Sequence, residues 1–109
     1  MLNDMDFIKT CDVPGPTKEA IRAIILYKSA VTPNDEVVDV GCGTGGITCE
    51  FAQRAKKVTS IDTNPDAISV TKQNLEKFNL GDNVKLINDS GSNALKNIDN
   101  ILSIFFRAL

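Results

Sequence analysis

No histidine occurs anywhere in the 109 residues. That absence excludes hydrolysis by a Ser-His-Asp or Cys-His pair, and it removes the usual proton shuttle near neutral pH. Chemistry in this chain has to rest on positioning and electrostatics, or on carboxylates and hydroxyls. Cysteine is scarce as well. Cys11, Cys42 and Cys49 are an odd set without a C-x-x-C pair, which argues against a disulfide framework or a zinc site and for a reducing interior. Long apolar runs are missing, so no stretch approaches membrane-spanning length. The opening "MLNDMDFIK" carries acids where a signal peptide needs a basic flank. The expected location is the cytoplasm. A dense basic block is also missing: lysines and arginines are scattered and the net charge is −2. Nucleic acid is therefore not an expected partner, and neither is a membrane.

What is present is ordinary for a globular domain, with 42% apolar and 24% charged residues. The length allows one small domain with a core, not two. Residues 1–16, with Pro14, Gly15 and Pro16, read as an irregular arm. A helix follows, with the Thr17 hydroxyl as its cap, Glu19 at its positive end, and Ile21, Ile24, Ile25 and Lys28 at helical spacing. "EVVDV" (36–40) is a short buried strand. Ile47, Phe51, Ala52 and Ala55 give the next helix one apolar face. "KVTSID" (57–62) is a second strand. The helix after it has Asn64 as N-cap, Pro65 in the first turn, a buried stripe of Ile68, Leu75 and Phe78, and Gly81 to end it. "NVKLIN" (83–88) is a third strand, "SNALKNI" a short helical segment, and "ILSIFF" (101–106) a fourth strand. Alternating strands and helices predict an α/β fold: a parallel sheet with helices on both faces. The loop after the first strand then lies at the sheet's carboxyl edge, where such folds bind ligands.

That loop is the chemical centre of the sequence. In "VVDVGCGTGGIT" (37–48), Gly41, Gly43 and Gly46 satisfy the dinucleotide spacing G-x-G-x-x-G. Gly41, Gly43 and Gly45 equally satisfy G-x-G-x-G. Both spacings reflect the same need for close backbone approach to a ligand. Asp39 separates the two readings, from a place facing into the crevice or just beneath it. A dinucleotide sets a pyrophosphate on this loop, and a buried carboxylate beside it would be repelled by several kcal/mol at low dielectric, of order ~4 for charges a few ångströms apart. S-adenosylmethionine has no phosphate, and its sulfonium and ammonium are both cationic. Asp62, at the end of the second strand, suits the ribose hydroxyls of either ligand. "NDSGS" (88–92) should flank the adenine. Cys42 reads as a small side chain that points away while its backbone meets the ligand, and Cys49 as packing.

With these residues in hand, the sequence resembles class I methyltransferases. It closely resembles the archaeal cobalt-precorrin C15-methyltransferases (decarboxylating) of cobalamin biosynthesis, the precorrin-8w decarboxylase type. "VPGPTKEAIR" (13–22), "VVDVGCGTGGIT" (37–48), "IDTNPDAIS" (61–69) and "LGDNVKLI" (80–87) carry the resemblance. The resemblance implies a Rossmann-like fold and S-adenosyl-L-methionine as cofactor. It implies a site made of Thr17 from the arm, Gly41, Cys42, Gly43, Thr44 and Gly45 in the loop, Asp62 on the ribose, and Gly91 by the adenine. The family commonly reads G-D-A at that last point. Here Ser90 stands where the aspartate would align, and Asp89 one place earlier.

The implied substrate is a corrin precursor, cobalt-precorrin-6B, methylated at C15 with loss of carbon dioxide. Lys9, Lys18 and Arg22 are candidate counter-charges for its carboxylates, with solvated surface as their plainer description. No residue stands out as a catalytic base, and no metal is expected. The resemblance covers residues 7 to about 98 and then stops. Residues 17–109 are accordingly expected to be a partial cofactor-binding domain, truncated after about the fourth strand by a shortened or altered reading frame. The full-length fold implies a homo-oligomer. The alternatives are an RNA or protein methyltransferase, an inactive cofactor-binding remnant, and a nucleotide-dependent dehydrogenase.

Overall fold

The computed structural model describes residues 1–96 and the backbone of residues 103–106. Four strands, β1 (Glu36–Val40), β2 (Lys57–Asp62), β3 (Val84–Asn88) and β4 (Ser103–Phe106), form one sheet in the order β3-β2-β1-β4. Every pairing is parallel. The helices are α1 (Glu19–Ser29), α2 (Gly46–Ala52), α3 (Pro65–Lys77) and α4 (Gly91–Leu95). The doubly covered parallel sheet expected from the alternation is present. The C-terminal expectations reach beyond the described residues at 97–102 and 107–109.

Strand alternation sends successive side chains to opposite faces. Val37 and Val58 pack with Ile47, Phe51 and Ala55 on the face covered by α1 and α2. Leu75, Phe78 and Leu86 extend that side under α3. Val38 and Ile61 point the other way, against Ala94 of α4. Among the described residues, no helix is long and apolar enough to cross a membrane.

The arm is more ordered than its prolines suggest. A 3-10 turn spans Asp4–Asp6, and Phe7 and Val13 are buried. Phe7 meets Phe78 edge to face at 5.1 Å between centroids, so the arm belongs to the core.

Helix α1 departs most from expectation. Its N-cap is Lys18, one residue after the expected Thr17; Lys18 makes no side-chain cap bond, and Asp4 Oδ2 accepts the Glu19 amide at 3.1 Å. Ile21 and Ile24 are exposed, whereas Arg22 is 0% exposed. The inward face is Arg22, Ile25 and Leu26. Arg22 Nε donates to Glu50 Oε2 at 2.9 Å, while its terminal nitrogens donate to Asp4 Oδ1 and to the Thr17 and Leu2 carbonyls. Its guanidinium also lies 5.2 Å from the Phe7 ring centroid. Arg22 is therefore not a counter-charge for a substrate: it is fully buried, and four of its five N–H groups are committed inside the protein. Apolar periodicity could not reveal this, because the partners come from a turn before the helix and from α2.

Helix α3 is rotated relative to the expected stripe. Ala67, Val70, Thr71, Asn74 and Leu75 are buried, with Ile68 and Phe78 at the margin. Asn64 caps it as expected, accepting the Asp66 amide at 2.9 Å. It ends before Gly81, where Asn79 adopts a left-handed φ of 55°.

The Arg22 cluster yields two expectations. Removing one partner of a buried ion pair strands the other, so Arg22→Ala should cost about 3–5 kcal/mol in urea unfolding. The Asp4 carboxyl is held below its ordinary 3.8 by the hydrogen bond from Arg22 and by the Glu19 amide. A lowered folded value gives stability that is complete above the unfolded value and is lost as pH falls through the folded one. The gap in thermal midpoint between wild type and Asp4→Asn should thus be constant near neutrality and close below 3.8. A gap that persists unchanged into strong acid would show that the Asp4 charge is irrelevant.

Candidate cofactor site

The loop between β1 and α2 climbs from the sheet's carboxyl edge by alternating left-handed residues. Gly41, Gly43 and Gly45 have φ of 82°, 56° and 96°. Gly45 is the most constrained, since a Cβ there would sit 3.0 Å from the Thr71 side chain and 3.1 Å from its Cα. Gly46 lacks a positive φ, but a Cβ on it would come within 3.1 Å of Pro16. The backbone therefore requires glycine at the G-x-G-x-G positions, while Gly46 makes room for the arm.

The loop is anchored from both sides. Gly41 and Cys42 amides donate to the Ile61 carbonyl at 2.7 and 3.2 Å. The Gly43 amide donates to Asp62 Oδ2 at 3.0 Å, and Asn64 donates to Oδ1 at 2.9 Å. From α3, Thr71 Oγ1 donates to the Gly43 carbonyl at 2.9 Å and Asn74 Nδ2 to the Thr44 carbonyl at 2.9 Å. Thr71 and Asn74 were missed in the sequence. Their signal was present, though: two polar residues three apart, interleaved with Ala67 and Val70 on a buried helical face.

A shallow cleft of about 120 Å³ opens where β1, β2 and β3 end, lined by Val40, Gly41, Ile61, Asp62, Thr63, Asp89 and Gly91. Complete small-molecule pockets run to about 300 Å³ and more, so this cleft suits one edge of a nucleoside. Of the expected site residues, Gly41, Asp62 and Gly91 meet here. Asp89 joins them, while Ser90 instead caps α4 by accepting the Asn93 amide at 3.2 Å. Gly91 is needed for close approach, because a Cβ would fall 2.8 Å from Val40 Cγ1.

Cys42, Gly43, Thr44 and Gly45 are buried beside the cleft and not on its lining. The Thr44 hydroxyl donates to the Pro14 carbonyl, so it holds the arm. Thr17 lies on the arm side, its amide 3.5 Å from where a Gly46 Cβ would be. Asp39 lies beneath the loop, 0% exposed, with Oδ2 accepting from Thr48 at 2.7 Å; Thr48 and Ser60 hydroxyls are 2.6 Å apart. Lys9 and Lys18 are exposed.

Two of the cleft's lining residues are acids and none is a base. Each Asp62 oxygen already accepts one backbone bond and keeps a further lone pair for a hydroxyl of a ligand. Among the described residues, no cluster of His, Cys, Asp and Glu could hold a metal ion. A larger groove of about 470 Å³ follows α3 and β3, lined by Ile68, Leu75, Leu80 and Leu86 among others. It contains neither the loop nor the paired acids.

Burial pushes the Cys42 thiol up to about 12, the Thr71 hydroxyl opposes that, and the Asp39 and Asp62 charges add to it. Burial raises Cys49 to about 12 as well, with Glu50 adding. Both thiols stay protonated and inert at neutral pH. An aromatic disulfide reagent at mildly alkaline pH should therefore titrate only the exposed Cys11 in the folded protein, and all three cysteines after unfolding. Rapid reaction of a second thiol in the native state would contradict the buried placement of Cys42 and Cys49.

Comparison with known proteins places this geometry. A sequence family described as "Methyltransferase domain" matches residues 31–104. A curated relative from Methanobrevibacter smithii, "Probable cobalt-precorrin-6B C(15)-methyltransferase (decarboxylating)", is 98% identical over 93% of this chain and 54% of its own length. The crystal structure of a precorrin 8w decarboxylase from Methanobacterium thermoautotrophicum superposes with a TM-score of 0.95 at 45% identity, covering 97% of this chain and 57% of that one. A Streptococcus mutans protein solved in complex with SAH is 29% identical with a TM-score of 0.70, over 83% of this chain and 52% of that one. The chain thus spans about half the length of the curated relatives it matches.

Proposed function

The chain belongs to the methyltransferase-domain family, and from that premise we propose that it binds S-adenosyl-L-methionine on the 41–45 loop and serves the methylation of a corrin precursor. In this reading it is a C-methyltransferase of the cobalt-precorrin-6B type, acting at C15 with decarboxylation. The observation that carries the ligand is Asp62. Its carboxylate bonds the Gly43 amide at 3.0 Å and still faces the cleft, so the loop and the ribose acceptor are one rigid unit. The acid-lined cleft favours a cationic nucleoside over a pyrophosphate. The substrate is supported by the Methanobrevibacter and Methanobacterium relatives and is proposed by likeness to them.

The cofactor, when bound, supplies a methyl group on a positively charged sulfur. The protein's share is alignment. Asp62 would hold the ribose, Asp89 and the Gly91 backbone would flank the base, and the Asp39 carboxyl lies beneath the loop. Displacement at a methyl carbon disperses charge, so orientation supplies much of the rate. A chain without histidine is equal to that task.

A second reading is a domain that binds the cofactor without transferring its methyl group. The chain's span of about half its curated relatives' length favours it. An RNA methyltransferase is disfavoured by the scattered lysines and the net charge of −2.

Calorimetry decides the ligand. Adenosylhomocysteine should bind and NADH should not. Asp62→Ala should weaken binding about 10- to 100-fold, the loss expected for charge-assisted hydrogen bonds. Wild-type protein that takes up NADH and ignores adenosylhomocysteine would end the proposal. Methyl transfer to a cobalt-precorrin, with released carbon dioxide measured, separates the enzyme from the binding module.

A further inference from the structure

Asn74 is 0% exposed and bonds two segments that are distant in the chain. Its Oδ1 accepts the Ile8 amide at 2.6 Å. Its Nδ2 donates to the Ile8 carbonyl at 3.1 Å and to the Thr44 carbonyl at 2.9 Å. A carboxamide has two N–H donors, so both are committed, one to the arm and one to the glycine loop. The group cannot turn toward one without releasing the other. Two further contacts join the same surfaces. The Thr44 hydroxyl donates to the Pro14 carbonyl, and Gly46 lies against Pro16. The arm is independently rooted through Phe7 and the Arg22 bonds to Asp4 and the Leu2 carbonyl. It is thus a strap, fixed at its start, tied to α3 at residue 8 and to the loop at residue 14.

We infer that Asn74 is a positioning residue that couples the N-terminal arm to the glycine loop. Seating of Ile8 on α3 and the ligand-ready shape of the loop at Thr44 stabilise each other. A ligand that orders the loop therefore tightens the arm, although the arm is not part of the cleft lining. The ligand half of this inference rests on the proposed adenosyl site; the coupling of arm to loop does not.

Amide hydrogen exchange on the whole chain tests it. The reporters are Ile8, bonded to Asn74; Gly45, bonded to the Cys42 carbonyl at 2.9 Å; and, as a control, Val58, bonded to the Asn83 carbonyl at 2.9 Å. In Asn74→Ala, exchange at both Ile8 and Gly45 should quicken by about tenfold or more, the equivalent of one or two buried hydrogen bonds, while Val58 holds. The second variant, Ile8→Pro, deletes the arm's donor and leaves α3 and the loop unaltered. It should also quicken Gly45, and it decides the matter if Asn74→Ala fails to fold. With adenosylhomocysteine added, Ile8 exchange should slow in wild type and not in Asn74→Ala at saturating ligand. A merely structural Asn74 would not break that communication. The inference is overturned if Ile8→Pro leaves Gly45 unchanged, or if the ligand still slows Ile8 in Asn74→Ala. Should adenosylhomocysteine slow neither Gly45 nor Ile8 in wild type, the proposed ligand fails and the ligand-free comparisons still decide the coupling; slowing of Gly45 without Ile8 overturns the coupling itself.

Discussion

A loop made largely of glycine has almost no side chains with which to hold itself, and here its shape depends on two hydroxyl and amide donors from α3. Thr71 takes the Gly43 carbonyl and Asn74 the Thr44 carbonyl, both at 2.9 Å. On the opposite side Asp62 takes the Gly43 amide. Gly43 is thereby held through both of its backbone polar groups, its amide on Asp62 and its carbonyl on Thr71. Glycine loses the most backbone entropy on ordering, so these bonds offset a cost that packing cannot reach. Breaking either α3 bond leaves a buried carbonyl without that partner, which is dearer than the bond itself is worth.

The arm depends on a different device. Arg22 and Glu50 are both 0% exposed and bonded at 2.9 Å, with Arg54 reaching Glu50 from the rim at 3.1 Å. Such a pair contributes little net stability compared with apolar residues of the same shape, because desolvation consumes most of the attraction. Its effect here is orientation. One planar cation gathers Asp4, the Leu2 and Thr17 carbonyls and Glu50, and the Leu2 amide returns to Glu50 at 3.2 Å. The chain's first residues are thus placed on α1 and α2 before they reach the loop.

These two devices explain what could be read from the sequence and what could not. Strand positions were legible because "EVVDV" and "KVTSID" are short, β-rich and bounded by turn residues, and the loop was legible because glycine is demanded by positive φ at Gly41, Gly43 and Gly45. Asp62 was legible by its place at a strand end. Arg22 was not, because a charge on a helix is ordinarily solvated and its acids lie on other elements. Ile21 and Ile24 look inward by their chemistry, yet the buried guanidinium turns them to the surface. The stripe of α3 was misplaced for the same reason. Thr71 and Asn74 face inward as bonded polar groups, and any count of apolar residues passes over them.

Asp39 shows how far electrostatic reasoning from a motif can reach. The sequence placed its carboxyl facing into the crevice or just beneath it, and the structure has the lower of the two: beneath the loop, bonded to Thr48, with no exposure. A carboxylate so placed makes no contact with a ligand in the cleft. Burial above all, and then Asp39 and Asp62, push the Cys42 thiol up. Three acids thus stand at different depths around the loop: Asp39 below, Asp62 at the rim and Asp89 across the cleft. The glycine spacing agrees independently. The loop needs its left-handed residues at 41, 43 and 45, and the sixth-position glycine of the dinucleotide pattern is spent on admitting Pro16 of the arm. Two unrelated constraints, one steric and one electrostatic, thus favour the same class of ligand.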